Sequence, residues 1–305
     1  MSDLVAHLAQ IVGHSPLEFL PNPFPEPVPI RLYLKRDDLL HPLVSGNKWR
    51  KLKYNLLEAD RLGIKTLLTF GGAYSNHLYA TAAAGRVFGF NTIGIVRGDE
   101  LANKPLNATL SFCRGQGMTL QFTDRATYLR ATDPAYLSDL QVRYGHCYIL
   151  PEGGTNPLAI QGTAELMPEL NAQLGMWPTA VACAVGTGGT LAGLIGSAPS
   201  SVQVLGISAV KVPPGSNAHF DGLPAVLPSN VAVLTDYHYG GYARTTPELL
   251  DFIRAFEQKN GILLEQVYTG KLLFALYDLA RKGYFPDQAT VVAIHTGGLQ
   301  GRQIP

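Results

Sequence analysis

The segment Val44-Ser45-Gly46-Asn47-Lys48-Trp49-Arg50-Lys51 sets a lysine behind a short polar turn, at the mouth of a helix expected over 49–62. Leu52, Leu56, Leu57 and Ala59 fall on one side of that helix and supply its apolar face. Lys48 then meets the positive end of the helix dipole and the charges of Arg50 and Lys51. Both disfavour an ammonium and leave a free amine, the nucleophile that a Schiff base with a carbonyl compound requires. The same residues also describe a poorly capped basic helix start standing in solvent. The rest of the chain has to choose.

Four other loops carry polar groups of the right kind. Gly186-Thr187-Gly188-Gly189-Thr190 follows the apolar run 179–185 and opens a short helix. Its glycines let backbone N–H groups converge on an anion, and two threonine hydroxyls add donors. The spacing is neither Gly-x-Gly-x-x-Gly nor a P-loop, so it suits one small phosphate, or is simply a tight turn. Gly71-Gly72-Ala73-Tyr74-Ser75-Asn76-His77 opens a second helix. Capping accounts for Ser75 or Asn76 but not for both of them and His77 together. Glu265-Gln266-Val267-Tyr268-Thr269-Gly270-Lys271 and His295-Thr296-Gly297-Gly298 are of the same type, with Tyr268 equally readable as core and Thr269 as a plain cap.

Strands must stand behind such loops. The pattern gives strands at 66–70, 91–96 and 118–122, with helices at 75–88 and 105–115 between them. A second series from 151 has a helix over 157–174, strands at 179–185, 202–208 and 231–234, helices at 247–260 and 269–282, and a last strand at 290–294. Strands alternating with helices imply an α/β chain of open, twisted parallel sheets covered on both faces, three layers deep. Ligands of such sheets bind at the carboxyl ends of the strands, where helix N-termini point. Ahead of both series, 21–29 is proline-rich and extended, and 30–35 alternates apolar and basic residues like an exposed strand.

Composition narrows the function classes. At 305 residues the chain has length for two domains, taking roughly 150 each. A net charge of +1 without a basic block argues against a nucleic-acid partner. No apolar stretch approaches the roughly 18 residues needed to span a bilayer, and no signal peptide is evident, so a cytoplasmic protein is expected. Cys113, Cys147 and Cys183 are far apart in apolar contexts and read as reduced core thiols. The eight histidines show no metal-ligand spacing, and no Gly-x-Gly-x-x-Gly with a later acid supports nicotinamide binding.

Together the segments resemble the pyridoxal-phosphate enzymes of the tryptophan-synthase-β fold, fold type II. They are most similar to the branch holding D-cysteine desulfhydrase and 1-aminocyclopropane-1-carboxylate (ACC) deaminase. The resemblance rests on Lys35-Arg-Asp-Asp-Leu39, Ser45-Gly-Asn-Lys-Trp-Arg-Lys51, Gly71-Gly-Ala-Tyr-Ser-Asn-His77, Pro151-Glu-Gly-Gly154, Gly186-Thr-Gly-Gly-Thr190, Val267-Tyr-Thr-Gly-Lys271 and His295-Thr-Gly-Gly298, in family order. It implies a large domain of 1–44 plus 152–305, a small one of 45–151, and an active site in the cleft between them.

It also implies roles. Lys48 joins pyridoxal 5'-phosphate as a Schiff base and moves protons at Cα. Asn76 bonds the cofactor's phenolic oxygen, and Gly186, Thr187, Gly188, Gly189 and Thr190 hold its phosphate. Ser75, Asn76 and His77 meet the substrate, Ser75 as a carboxylate contact or catalytic hydroxyl. Tyr268 lies against the ring or the leaving group, Tyr242 is a second catalytic tyrosine, and Thr269 faces the pyridine nitrogen. ACC deaminases resemble this segment but carry glutamate in place of Thr269, a residue that would keep the ring nitrogen protonated. The resemblance thus points to α,β-elimination from D-cysteine, with ACC-type deamination or another small amino acid as alternatives. A non-catalytic protein that buffers the cofactor is the alternative of a different class. A homodimer is implied by analogy. Tyr74, Leu78 and Tyr79 depart from the family pattern around Ser75 and reshape the expected substrate pocket.

Overall fold

The computed structural model describes residues 3–11, 13–44, 46–212, 220 and 222–304; Ser45 of the lysine turn and most of the 209–230 loop's centre lie outside them. Ten strands form among these residues: β1 Leu17–Leu20, β2 Ile30–Lys35, β3 Thr66–Gly71, β4 Asn91–Arg97, β5 Thr119–Thr123, β6 Tyr148–Leu150, β7 Ala180–Val185, β8 Gln203–Ser208, β9 Val231–Leu234 and β10 Ala289–Ile294. The chain divides into two units, Met1–Gly13 with His41–Gly162 and His14–Leu40 with Thr163–Pro305.

The first unit holds a four-stranded sheet in the order β5-β4-β3-β6, parallel throughout. Thr66–Gly71 is a nearly unbroken buried run, as expected of a strand covered on both faces. Leu68, Phe70, Ile93 and Ile95 pack on one side with Tyr128 and Leu140. On the other, Val96 packs with Leu78, Ala82, Leu110 and Cys113. The second unit's sheet has the order β1-β2-β10-β7-β8-β9, and only β1 is antiparallel. Along β7, Ala180, Ala182 and Ala184 face one core while Val181, Cys183 and Val185 face the other. Each unit is therefore three layers. Cys113, Cys147 and Cys183 are buried, and burial pushes the Cys113 thiol up to about 12.

Four expectations change. Residues 30–35 are not an exposed strand: β2 lies between β1 and β10, and Lys35 is fully buried, with its ammonium on the Ser15 carbonyl and the Glu169 carboxylate. A basic residue at a strand end can be interior when its head group finds such partners. The helix expected over 157–174 breaks into Pro157–Ala164 and Leu166–Leu174, because Pro168 has no N–H for the Ala164 carbonyl. The helix Pro134–Tyr144 and the three-residue β6, unremarkable in sequence, deliver the Pro151-Glu-Gly-Gly154 turn. Finally, residues 3–11, 41–44 and 152–162, expected in the large domain, fall in the first unit. The helix Asp3–Ile11 packs against Asn47–Arg61 and Asn76–Phe88, with His7 edge-on to Phe88.

Gly162 is where the helix Pro157–Ala164 crosses Asn47–Arg61: a β-carbon there would run into the Arg50 carbonyl oxygen and come within 2.9 Å of its carbon. Gly162→Ala should gain about 1 kcal/mol of helix propensity and lose more, since overpacking costs about 1–3 kcal/mol and backbone cannot yield as a side chain does. The net outcome is a lower thermal midpoint; an unchanged or raised one would show that the two helices separate freely.

Candidate active site

In the first unit, Lys48 is the second residue of the helix Asn47–Arg61, entered through Gly46 at φ 65°, a conformation only glycine adopts cheaply. Gly46, the N-cap residue, offers no side chain to close this start. Arg50 and Lys51 are both buried, which removes the reading of a solvated basic surface. Lys48 Nζ lies 3.3 Å from the Gly153 carbonyl, and Lys51 Nζ donates to the same oxygen at 2.9 Å and to Thr155 Oγ1 at 3.0 Å. Gly153 and Gly154 both have positive φ, which turns that carbonyl toward the lysines. The Lys48 amine is lowered to about 8, and the cause is burial rather than the neighbouring charges the sequence suggested.

The loop after β3 sits in the same unit. Ser75 is the N-cap of Asn76–Phe88, its Oγ accepting the Leu78 N–H at 3.2 Å, and Oγ makes no second hydrogen bond among the described residues. Its hydroxyl hydrogen thus remains available at a helix N-terminus, where an anion is favoured. A β-carbon on Gly71 would stand 2.6 Å from Ser75 Oγ, so the strand must end in glycine. Asn76 opens the helix beside it. His77 is enclosed instead of presented on the loop. Thr69 spends its one hydroxyl hydrogen on the Leu150 carbonyl (3.1 Å) and so accepts from His77 Nε2 at 2.9 Å. Nδ1 is then the lone-pair nitrogen, buried and without a partner among the described residues. Burial, and then the Lys48 and Lys51 charges, hold the imidazole well below its ordinary pKa, so it is neutral. Of the unexpected tyrosines, Tyr79 stacks on Phe112 at 3.7 Å while Tyr74 is exposed.

In the second unit, Gly186 to Thr190 joins β7 to the helix Gly189–Ser197, whose start has no side-chain cap, with Gly188 at φ 91°. A β-carbon on Gly186 would lie 3.2 Å from both Cε1 and the hydroxyl of Tyr268, so Tyr268 borders this loop. Tyr242, about half exposed, meets Tyr268 edge to face with ring centres 6.1 Å apart. His295 is a structural tie: Nε2 donates to the Leu263 carbonyl (2.8 Å) and Nδ1 takes the Gly297 N–H (3.3 Å).

Thr269 is fully buried and its hydroxyl is engaged by Glu265, accepting the Glu265 N–H at 3.0 Å and lying 3.2 Å from Oε1. The Glu265 carboxylate also takes the N–H groups of Val267 (2.6 Å), Tyr268 (2.8 Å) and Thr269 (2.6 Å). Burial pushes this carboxyl up in pKa, and those hydrogen bonds pull against it. The sequence reading passed over Glu265. An acid three to four residues ahead of a helix's first turn was the available signal.

Residues 8–297 match the family described as pyridoxal-phosphate dependent enzymes. The chain belongs to that family. A putative 1-aminocyclopropane-1-carboxylate deaminase of Pyrococcus abyssi is 33% identical over 95% of this chain and 91% of its own length. A solved ACC deaminase homologue superposes with a TM-score of 0.81 at 28% identity, covering 99% of this chain and 96% of that one. A fungal L-serine ammonia-lyase from Rhizomucor miehei, at 19% identity and TM-score 0.65, covers 94% of each chain and shares the fold. The fold is thus the tryptophan-synthase-β-like fold type II, and the chain is a pyridoxal-phosphate-dependent enzyme of the lyase and deaminase group.

The residues present fit the cofactor. An uncapped helix start behind three glycines is a cradle for one phosphate, and a β-carbon at Gly186 would crowd the tyrosine that borders it. A lysine lowered to about 8 by burial is an amine suited to an aldehyde. Lys51, missed as a partner of Lys48, can keep the Gly153 carbonyl satisfied when Lys48 is drawn into a covalent bond.

Proposed function

We propose that the enzyme is D-cysteine desulfhydrase-like, catalysing α,β-elimination from a small amino acid: D-cysteine and water give pyruvate, ammonia and sulfide. The observation that carries this reading is Thr269. The residue after Tyr268 is neutral, its hydroxyl is committed to Glu265, and the Glu265 carboxylate is spent on capping backbone N–H groups. No carboxylate follows the tyrosine to hold a ring nitrogen protonated, so the electron sink is moderate. That is adequate for removing a Cα proton with prompt loss of a β-thiolate, and poor for opening a cyclopropane that has no α-hydrogen.

Pyridoxal phosphate, when bound, supplies that sink. Lys48, its amine lowered to about 8 by burial, takes the Cα proton, and the electron pair so released forms the Cα–Cβ double bond and expels the β-thiolate. Ser75, with a hydroxyl hydrogen to give at a helix N-terminus, receives the substrate carboxylate, while Asn76 holds the cofactor's phenolic oxygen. Neutral His77 shapes the wall beneath them, and Tyr268 with Tyr242 attends the leaving group. Thr269 closes the ring-nitrogen end. The reading includes a homodimer working in the cytoplasm on a free amino acid, with neither nucleic acid nor membrane as partner.

A second reading, ACC deamination, is favoured by relatives named as putative ACC deaminases at 30–33% identity. Assay of the holoenzyme separates the two. Pyruvate should appear from D-cysteine and β-chloro-D-alanine; 2-oxobutyrate from ACC with no pyruvate from either D-amino acid would replace the first reading by the second.

A further inference from the structure

Lys271 is fully buried and, among the described residues, faces no carboxylate at bonding distance. Its ammonium donates instead to three backbone carbonyls, those of His238 (2.8 Å), Gly241 (2.9 Å) and Ala209 (3.3 Å). A cation ringed by main-chain carbonyl oxygens is the chemistry of a dehydrated potassium or ammonium ion rather than of an ion pair. The lysine is lowered to about 8 by burial, with Glu265 pulling the other way, and so is still largely charged at neutral pH.

Of the three carbonyls, that of Gly241 lies within one strained stretch and that of His238 immediately before it. Tyr239 (φ 52°) and Ala243 (φ 55°) are non-glycine residues in the left-handed region, flanking Gly240 (φ 97°) and Gly241 (φ 122°). Such a run persists only where its surroundings over-determine it. Tyr242 stands in it, and Tyr242 meets Tyr268, which lies three residues before Lys271 at the start of the helix Thr269–Arg281. Lys271 thus ties the Tyr242 loop to the helix that begins beside Tyr268.

We propose that Lys271 is a built-in monovalent cation, a positioning residue whose ammonium pins the 239–243 loop and so holds Tyr242 against Tyr268; without it, a dissolved cation of similar size takes over the task. The kinetic arm of the test rests on the proposed elimination, whereas the loop arm does not, so the two can fail separately.

Trypsin reads the loop directly, since Arg244 is exposed immediately after it. In the wild-type holoenzyme the bond after Arg244 should resist cleavage in every salt; ready cleavage there would overturn the clamp without any variant. Lys271→Ala opens the ring of carbonyls: in choline chloride the loop should be cut, and kcat should fall on the order of 100-fold, the usual cost of displacing a group by about 1 Å. Potassium or ammonium chloride at the same ionic strength should restore both protection and kcat. Lys271→Met keeps the apolar stem and fills the space, so it should be cut in all salts and rescued by none. Should Lys271→Ala not fold, Lys271→Met decides the matter. An uncut loop with wild-type kcat in Lys271→Met, or potassium no better than choline in Lys271→Ala, would dismiss the inference.

Discussion

A Lys48→Ala protein folds, takes up pyridoxal phosphate without covalent attachment, and loses at least about a thousand-fold in turnover. The fold survives because, among the described residues, the variant gives up a single 3.3 Å contact, to the Gly153 carbonyl, which Lys51 still holds at 2.9 Å. Lys51 does not substitute chemically, being committed to Gly153 and Thr155. Borohydride reduction followed by peptide mass analysis checks the result: wild type should carry the label at position 48 and the variant nowhere. A label on another lysine would move the site. The lowered amine adds a pH signature. Only the neutral amine attacks an aldehyde, so capture of the cofactor by wild-type apoprotein should quicken up to about pH 8 and then level. An amine at the ordinary 10.5 would keep accelerating past that point.

Glu265→Ala should be the most destabilising single change near the site. It removes the acceptor of three backbone N–H groups and of the Thr269 hydroxyl, all at a residue only 1% exposed. Buried donors left without partners cost about 1–3 kcal/mol each, and partial relaxation leaves a net loss of about 3 kcal/mol or more. For a chain of this size that lowers the thermal midpoint by about 5–10 °C. Tyr268, whose own N–H is among the orphaned groups, would lose its setting against Gly186, so cofactor affinity should fall as well. Glu265→Gln keeps one acceptor oxygen and should sit between the two. A Glu265→Ala protein that melts with wild type would mean that water reaches those amides.

Much of the layered fold was legible because parallel strands buried on both faces write themselves as continuous apolar runs, as in Ala180–Val185 and Ala289–Ile294. Local chemistry was legible too. Glycines where a β-carbon would collide, at Gly71, or crowd a tyrosine, at Gly186, and a lysine after a glycine turn carry their constraint in the residue type. What could not be read was who meets whom across the chain. The lowering of the Lys48 amine looked like an effect of adjacent charges and is an effect of burial, a property of packing that no neighbour in sequence reports. Thr269 reads in the sequence as a plain helix cap, yet its hydroxyl bonds to Glu265, four residues upstream.

The residue types along this chain were enough to point to an α/β enzyme and to single out a lysine behind a glycine turn and a glycine loop after a strand as candidates for a Schiff base and a phosphate cradle, because turn geometry and strand burial are local requirements. Partnership is not local. Lys48 shares a carbonyl with Lys51 from 105 residues away, and Lys271 closes a ring of oxygens that begins 62 residues earlier. Such contacts exist only once the sheets are packed, since hydrogen bonds and desolvation act over a few ångströms of space and take no account of distance along the chain.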